Sequence, residues 1–262
     1  MKVIGIQRAE RFSPNSVDKD KAILSDVVVP FGGTIIPENG FKAEQLTDKP
    51  DVVFSMVRDE STIAQLEKLS DNGIKVINPA QGIINCRRST LNKLMTENNI
   101  PVPTVDMANG KGWWLKRGDG SAQSKDDVVF CHDDEELKAA RQAMESRGIT
   151  DIIVQPHIEG DLVKFYGVDG TGFFRTYYPG DDRITKFGNE AVNGMPHHYS
   201  YDKVHLQDAA ELTARITEVP VYGGDAIIMA DGSFVIIDFN DWPSFSRCRK
   251  EAAQAIISLA RE

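Results

Sequence analysis

Only three cysteines occur in the chain, Cys86, Cys131 and Cys248, and no two of them form a CxxC pair. An odd, sparse set supplies neither a disulfide framework nor a thiolate zinc site, so reduced and mostly buried thiols are expected. No apolar run approaches the ~20 residues that a membrane span needs. The opening MKVIGIQRAERF turns charged at Arg8 and has no apolar signal-peptide core. The expected location is therefore the cytoplasm, with no membrane partner. Basic excess is also missing, because 30 Lys and Arg stand against 39 Asp and Glu, a net charge of −9. That balance excludes nucleic acid as the main partner. A local basic cleft for a nucleotide is compatible with it, since net charge does not report on a cleft. There is no internal repeat and no low-complexity tract.

What is present is an ordinary globular composition, with 41% apolar and 26% charged residues over 262 positions. The length allows one two-lobed unit or a few small subdomains, and a homodimer is open to such a chain. Lys2 to Gln7 reads as a first strand. Asp51 to Val57, DVVFSMV, is a stronger one. Glu60 to Asp71 reads as a helix, with Ile63, Leu66 and Leu69 on one stripe, and Asn72-Gly73 ends it. Ile74 to Ile77 is then a buried strand. Strand, helix and strand in succession predict a βαβ unit and a parallel sheet, so residues 1–77 are expected to form a small α/β domain.

Gln81 to Asn98 reads as one or two helices, and Ile100-Pro-Val-Pro103 forces an extended exit. Trp113 to Lys116 and Val128 to Cys131 read as strands flanking the small, polar segment Arg117 to Ser124. Asp133 to Arg147 reads as a helix with acids in its first turn. Ile152 to Gln155, Leu162 to Val168, Gly172 to Tyr178 and Ala226 to Ile237 supply further strands. The last contains a hairpin turn at Asp231-Gly232. Leu206 to Thr217 and Arg249 to Arg261 are amphipathic helices.

The strongest chemical signal is the late hairpin. Asp238 and Asn240 share one face of its return strand, because strand side chains alternate. Asp225 lies on the outgoing arm, where its carboxylate can converge with them. Two carboxylates and an amide oxygen form a hard, oxygen-only set suited to Mg²⁺ or Mn²⁺ shared with phosphate oxygens, and unsuited to zinc.

In their order, four segments resemble the ATP-grasp superfamily: VINPAQGIINCRRSTLNKLMTENNIPVPTV, WWLKRGDGSAQS, IIVQPHIEGDLVKFYGV and GGD-hairpin-IIDFNDWPSF. The chain is similar in pattern to ribosomal-protein glutamyl ligases and D-alanine–D-alanine ligases. The resemblance implies a small N-terminal α/β domain (1–77) followed by a two-lobed α+β ATP-grasp fold, with lobes at 78–150 and 151–262. It implies ATP and Mg²⁺ or Mn²⁺ as cofactors. Arg88 stands near the family's phosphate lysine. Lys116 ends the strand before a glycine-rich phosphate loop formed by Gly118, Gly120 and Ser121. Gln155, Pro156, His157 and Ile158 would line adenine, His157 through its backbone. Asp161 would hold the ribose and Lys164 would face the phosphates. Asp225, Asp238 and Asn240 would bind metal. Lys116, Arg175 and Arg247 would act on the reacting groups, and Arg58 and His197-His198 are further candidates for the acceptor pocket.

The implied activity is a ligase that activates a carboxylate as an acyl phosphate for attack by an amine or other nucleophile, releasing ADP and phosphate. Its partners would be small-molecule carboxylates and amines, or a peptide or protein terminus. Two alternatives stand beside it: a small-molecule kinase on the same scaffold, and a nucleotide-binding protein without turnover.

Overall fold

Short β-branched runs alternate with helices in the first third of the chain, and this alternation builds a parallel sheet. The computed structural model describes residues 1–46, 48–120, 124–182 and 192–261. Strands β1 (Val3–Gln7), β2 (Thr34–Pro37), β3 (Val52–Ser55) and β4 (Lys75–Ile77) pair in the order β2-β1-β3-β4, all parallel. Helix α1 (Val17–Val28) links β1 to β2, and α2 (Glu60–Asp71) links β3 to β4. The Asp59 carboxylate caps α2 by accepting the N–H groups of Ser61 and Thr62. Asp26 to Val29, a short apolar run in the sequence, is the end of α1 and the start of a 3-10 turn.

Helices α3 (Ala80–Asn85) and α4 (Arg88–Glu97) lead to an antiparallel sheet in the order β6-β5-β7. Its strands are β5 (Trp113–Arg117), β6 (Val128–Cys131) and β7 (Ile152–Pro156), backed by α5 (Asp134–Ser146). β7 pairs with β5 through Trp113↔Pro156 and Leu115↔Val154. This sheet thus extends past residue 150, where the first lobe was expected to end.

The third sheet, order β11-β10-β8-β9, is antiparallel. It comprises β8 (Asp161–Val168), β9 (Phe173–Tyr177), β10 (Val221–Ile228) and β11 (Phe234–Asp241). A short α6 (Pro179–Asp182) and the longer α7 (Lys203–Thr217) precede β10, and α8 (Arg249–Leu259) follows β11.

One core cluster joins the first and third sheets. Ile23, Leu24, Val27 and Val28 of α1 pack with Ala252, Ala253 and Ile256 of α8, and with Val221 and Trp242. Each fully buried aliphatic side chain of this kind contributes ~1.5–3 kcal/mol. The Asn78 carboxamide adds a polar tie, donating to the Val221 carbonyl (2.8 Å) and accepting its N–H (3.0 Å). These contacts set the N-terminal α/β unit at one end of a cleft whose walls are the second and third sheets.

Candidate active site

Strand alternation decides which side chains face the cleft. On β5, Trp113 and Leu115 enter the apolar layer against α5, which turns Trp114 and Lys116 to the other side. On β8, Asp161, Val163 and Phe165 are buried, whereas Leu162, Lys164 and Tyr166 line the cleft. On the hairpin, Asp225 and Asp238 are direct cross-strand partners, and Asn240 is opposite Gly223. A register irregularity falls just after Asp225. Gly224 lies beside this pair because a Cβ there would come 2.4 Å from the Asp238 carbonyl oxygen. The cleft has a volume of about 530 Å³.

Its middle is a dense set of opposite charges. The Lys164 ammonium is 2.9 and 3.1 Å from the two carboxylate oxygens of Asp225. Arg88 reaches to 3.9 Å from Asp238 and donates to the Arg117 carbonyl at 2.6 Å. Asn240 donates to Asp238 at 3.0 Å. Lys116, only 7% exposed, donates to the Gln155 side chain (2.9 Å) and to the Ile237 carbonyl (3.0 Å). Burial first, and then the neighbouring Arg88 cation, lower the Lys116 pKa to about 8 against the opposing pull of Asp238 and Asp225. For Asp238 the largest influence, burial, raises the pKa. Arg88, Lys116, the Asn240 hydrogen bond and Lys164 together outweigh it, so the carboxyl lies below its usual value and is ionised.

This donor set fits a magnesium-type ion. Asp225, Asp238 and Asn240 offer oxygens from one face of the hairpin, and Mg²⁺ commonly takes one or two carboxylates plus waters and phosphate oxygens. Among the described residues no group of three or more His, Cys, Asp or Glu could hold a metal by itself, so phosphate and water would complete the shell.

The second end of the cleft is more apolar. Trp114, Val128, Pro156, His157 and Ile158 face Leu162, Ile227 and Ile237 across it. The Trp114 indole donates to His157 Nδ1 at 3.2 Å, and Phe130 meets both rings. Burial lowers the His157 pKa, which favours the neutral ring. The His157 N–H donates to the Gly112 carbonyl at 2.9 Å, so a backbone contact of His157 with a base would fall to its carbonyl oxygen. The Ile158 carbonyl accepts from Asn193 at 3.2 Å.

The opposite end is polar and includes the N-terminal unit. Arg8, Ser13, Ser16, Lys19, Asp20 and Arg58 line it from that unit, and Asp241, Ser244 and Arg247 line it from the segment after β11. Arg8 contacts Asp20 at 3.4 Å and donates to the Trp242 carbonyl at 3.0 Å. Burial, then Arg58, lower the Arg8 pKa to about 10. Arg58 is ion-paired with Asp241 and donates to the Asp241 carbonyl at 3.2 Å. Arg247 lies over the Tyr177 ring at 5.3 Å.

Arg88, Lys116, Gln155, Pro156, His157, Ile158, Lys164, Asp225, Asp238, Asn240 and Arg247 are thus brought to one cleft. The other expected positions behave differently. Asp161 is 1% exposed, on the buried face of β8, and its carboxylate accepts the N–H groups of His197 (2.6 Å) and Tyr199 (2.8 Å). It orders that loop and is not a cleft residue. Arg175, on the outer strand β9, turns to Glu251 of α8 at 3.0 Å. Gly118 packs into the β5–α4 junction, donating to Asp151 and accepting from Ser89; a Cβ there would meet Asp151 Oδ1 and Ser89 Oγ at 2.3 Å. Its glycine is thus explained by close packing, and neither it nor Gly120 lines the cleft. Ser121 lies outside the described residues. His198 pairs with Asp181 at 3.2 Å, and the His197 ring contacts Asp161 at 3.4 Å, both away from the cleft.

Sequence reasoning missed Arg8, Asp20, Trp114, Leu162 and Asp241. Trp114 and Leu162 were readable two residues before Lys116 and Lys164, on the same strand face. Asp241 was not, because what holds it at the cleft is its ion pair with Arg58 of the N-terminal unit, a contact far apart in sequence.

No protein-family model matches the chain, and no protein of curated function matches its sequence. Solved structures do match its shape. The D-alanine–D-alanine ligase of Bacillus anthracis superimposes with a TM-score of 0.67 at 13% identity, over 100% of this chain and 97% of that one. A RimK domain ATP-grasp protein from Sphaerobacter thermophilus gives 0.64 at 14% identity, over 100% of both chains. The ATP-grasp ligase PsnB, solved with a minimal precursor, gives 0.62 at 13% identity, over 98% of both. With the parallel sheet, the two antiparallel sheets and the cleft between them, these similarities establish that the chain has the ATP-grasp fold.

Proposed function

We propose that the protein is an ATP-dependent ligase that activates a carboxylate as an acyl phosphate and passes the acyl group to an amine or related nucleophile. The observation that carries this reading is the convergence of Arg88, Lys116 and Lys164 with Asp225, Asp238 and Asn240 at the centre of a cleft with one apolar and one polar end. The matched ligases of the same fold, one of them solved with ATP, support it.

In this reading the base of ATP sits between Trp114 and His157 on one wall and Leu162, Ile227 and Ile237 on the other. Lys116, Arg88 and Lys164 hold its phosphates. Asp225, Asp238 and Asn240 would hold Mg²⁺, which when bound supplies charge neutralisation between the phosphates. A substrate carboxylate oxygen attacks the terminal phosphorus and ADP leaves. The nucleophile then adds to the acyl carbon and phosphate departs. The side chains neutralise and orient, and none becomes covalently attached. Their value rises in a closed cleft, where water would otherwise hydrolyse the acyl phosphate. The three free cysteines agree with a reducing, cytoplasmic setting.

The test is ADP release by the full chain with Mg-ATP over a panel of amino acids, carboxylates and amines. The reading requires at least one carboxylate–amine pair in which both components are needed. ADP formed together with a phosphorylated alcohol makes the protein a kinase. No turnover on any pair, with ATP still bound, makes it a binding protein.

A further inference from the structure

The polar end of the cleft holds a second arrangement that the phosphate chemistry does not use. Helix α1 begins there, and the loop leading into it, Ser13 to Ser16, together with Lys19, lines the cavity. Ser16 is the N-cap but makes no side-chain cap hydrogen bond. The first N–H to find a helical acceptor is that of Asp20, donating to the Ser16 carbonyl at 2.8 Å. The N–H groups of Val17, Asp18 and Lys19 have no acceptor among the described residues. Such a terminus carries partial positive charge and attracts anions.

An independent observation points to a ligand. Ser13 is only 6% exposed and lines the cleft, yet its hydroxyl makes no hydrogen bond among the described residues. The hydroxyl oxygen is not sealed in the protein interior but opens onto the cleft, where a ligand can reach it. Lys19 lines the same space and forms no ion pair among the described residues. Of the nearby acids, Asp20 is matched by Arg8 and Asp241 by Arg58. Asp18, in the first turn of α1, is exposed and does not line the cavity. Arg247 faces this end from the other side.

We propose that Ser13, the N-terminus of α1 and Lys19 form a carboxylate-binding subsite for a substrate. The substrate class is then an amino acid or peptide with a carboxylate that is recognised here and is not the one activated. The substrate role rests on the ligase reading, whereas the anion site itself does not.

The experiment is an amide NMR titration of the full-length protein with acetate and, separately, with inorganic phosphate, at constant ionic strength. Saturable shifts of the Val17, Asp18 and Lys19 amides with acetate are expected. Ser13→Ala and Lys19→Met should each weaken that binding by about fivefold to tenfold, as for loss of one charge-assisted partner. Absence of saturable shifts at these amides overturns the proposal, and so does acetate binding that neither variant weakens. Saturation by phosphate but not by acetate overturns the carboxylate assignment in favour of a phosphorylated ligand. Mg-AMPPNP is titrated into the same sample. Acetate binding without nucleotide binding would leave the subsite standing and the ligase reading refuted.

Discussion

Asp238 is the residue on which the charge balance of the cleft turns. Its carboxylate is ionised among Arg88, Lys116 and Lys164, and it shares the hairpin face with Asp225 and Asn240. Asp238→Asn should cut Mg-dependent turnover by about 10²–10³, the scale for losing one preorganised electrostatic group, while the chain still melts cooperatively. Activity near the wild-type level would refute the metal assignment. Lys116 makes a pH prediction. Its pKa is lowered from 10.5 to about 8, so in the nucleotide-free protein it loses its proton as pH rises through 8. A phosphate is best held by the protonated form, so AMPPNP affinity should fall above pH 8, by up to about tenfold per unit for one linked proton. The sign for stability is opposite. Between 8 and 10.5 the unfolded chain holds the proton that the folded one has released, so folding stability gains over that window. Titration calorimetry from pH 7 to 9.5 checks the binding trend, and a flat profile would contradict it. Asp238, Asn240 and Lys116 were legible because two-residue alternation and strand ends fix where they point. Arg175 was not, because its Glu251 partner on α8 is set by tertiary packing, whereas the burial of Asp161, on the face of β8 opposite Lys164, follows from the same alternation.

At the scale of the element, β5 and the turn after it were the most instructive. The strand was expected and is present, but Gly118 after it serves the junction with α4 and β7 and not the cleft. Gly118→Ala should destabilise the fold by ~1–3 kcal/mol through overpacking against Asp151 and Ser89. Nucleotide affinity in the folded protein should change little. Denaturant unfolding with a parallel nucleotide titration separates the two, and lost affinity at unchanged stability would restore the phosphate-loop reading. Helix α1 shows the opposite case. Its opening VDKDK hides the apolar stripe of Ile23, Leu24, Val27 and Val28, and only the partner helix α8 makes the stripe intelligible. Helix α2, with its Asp59 cap and three-residue apolar spacing, carried its signals locally and was fully legible.

Across the whole molecule, the N-terminal unit grips the segment that follows the acidic strand. Arg58 holds Asp241 and Arg8 holds the Trp242 carbonyl, two contacts separated by most of the chain length and invisible to any local pattern. Asp241 is 3% exposed, so Arg58→Met would leave its charge buried without a partner. A loss of ~3–5 kcal/mol is expected by urea unfolding, and a loss below ~1 kcal/mol would show that the pair does not tie the units together. The order of segments along the chain made the fold readable despite 13% identity to a ligase of the same shape, because the order fixes which sheets form the two walls. The central claim is acyl phosphate formation in the cleft between those walls, and hydroxylamine trapping tests it most directly. The full chain is incubated with Mg-ATP, a carboxylate panel and hydroxylamine, and hydroxamate is measured alongside ADP. The account predicts hydroxamate equal to ADP for at least one carboxylate, abolished by Asp238→Asn. ADP release that is never accompanied by hydroxamate would contradict it.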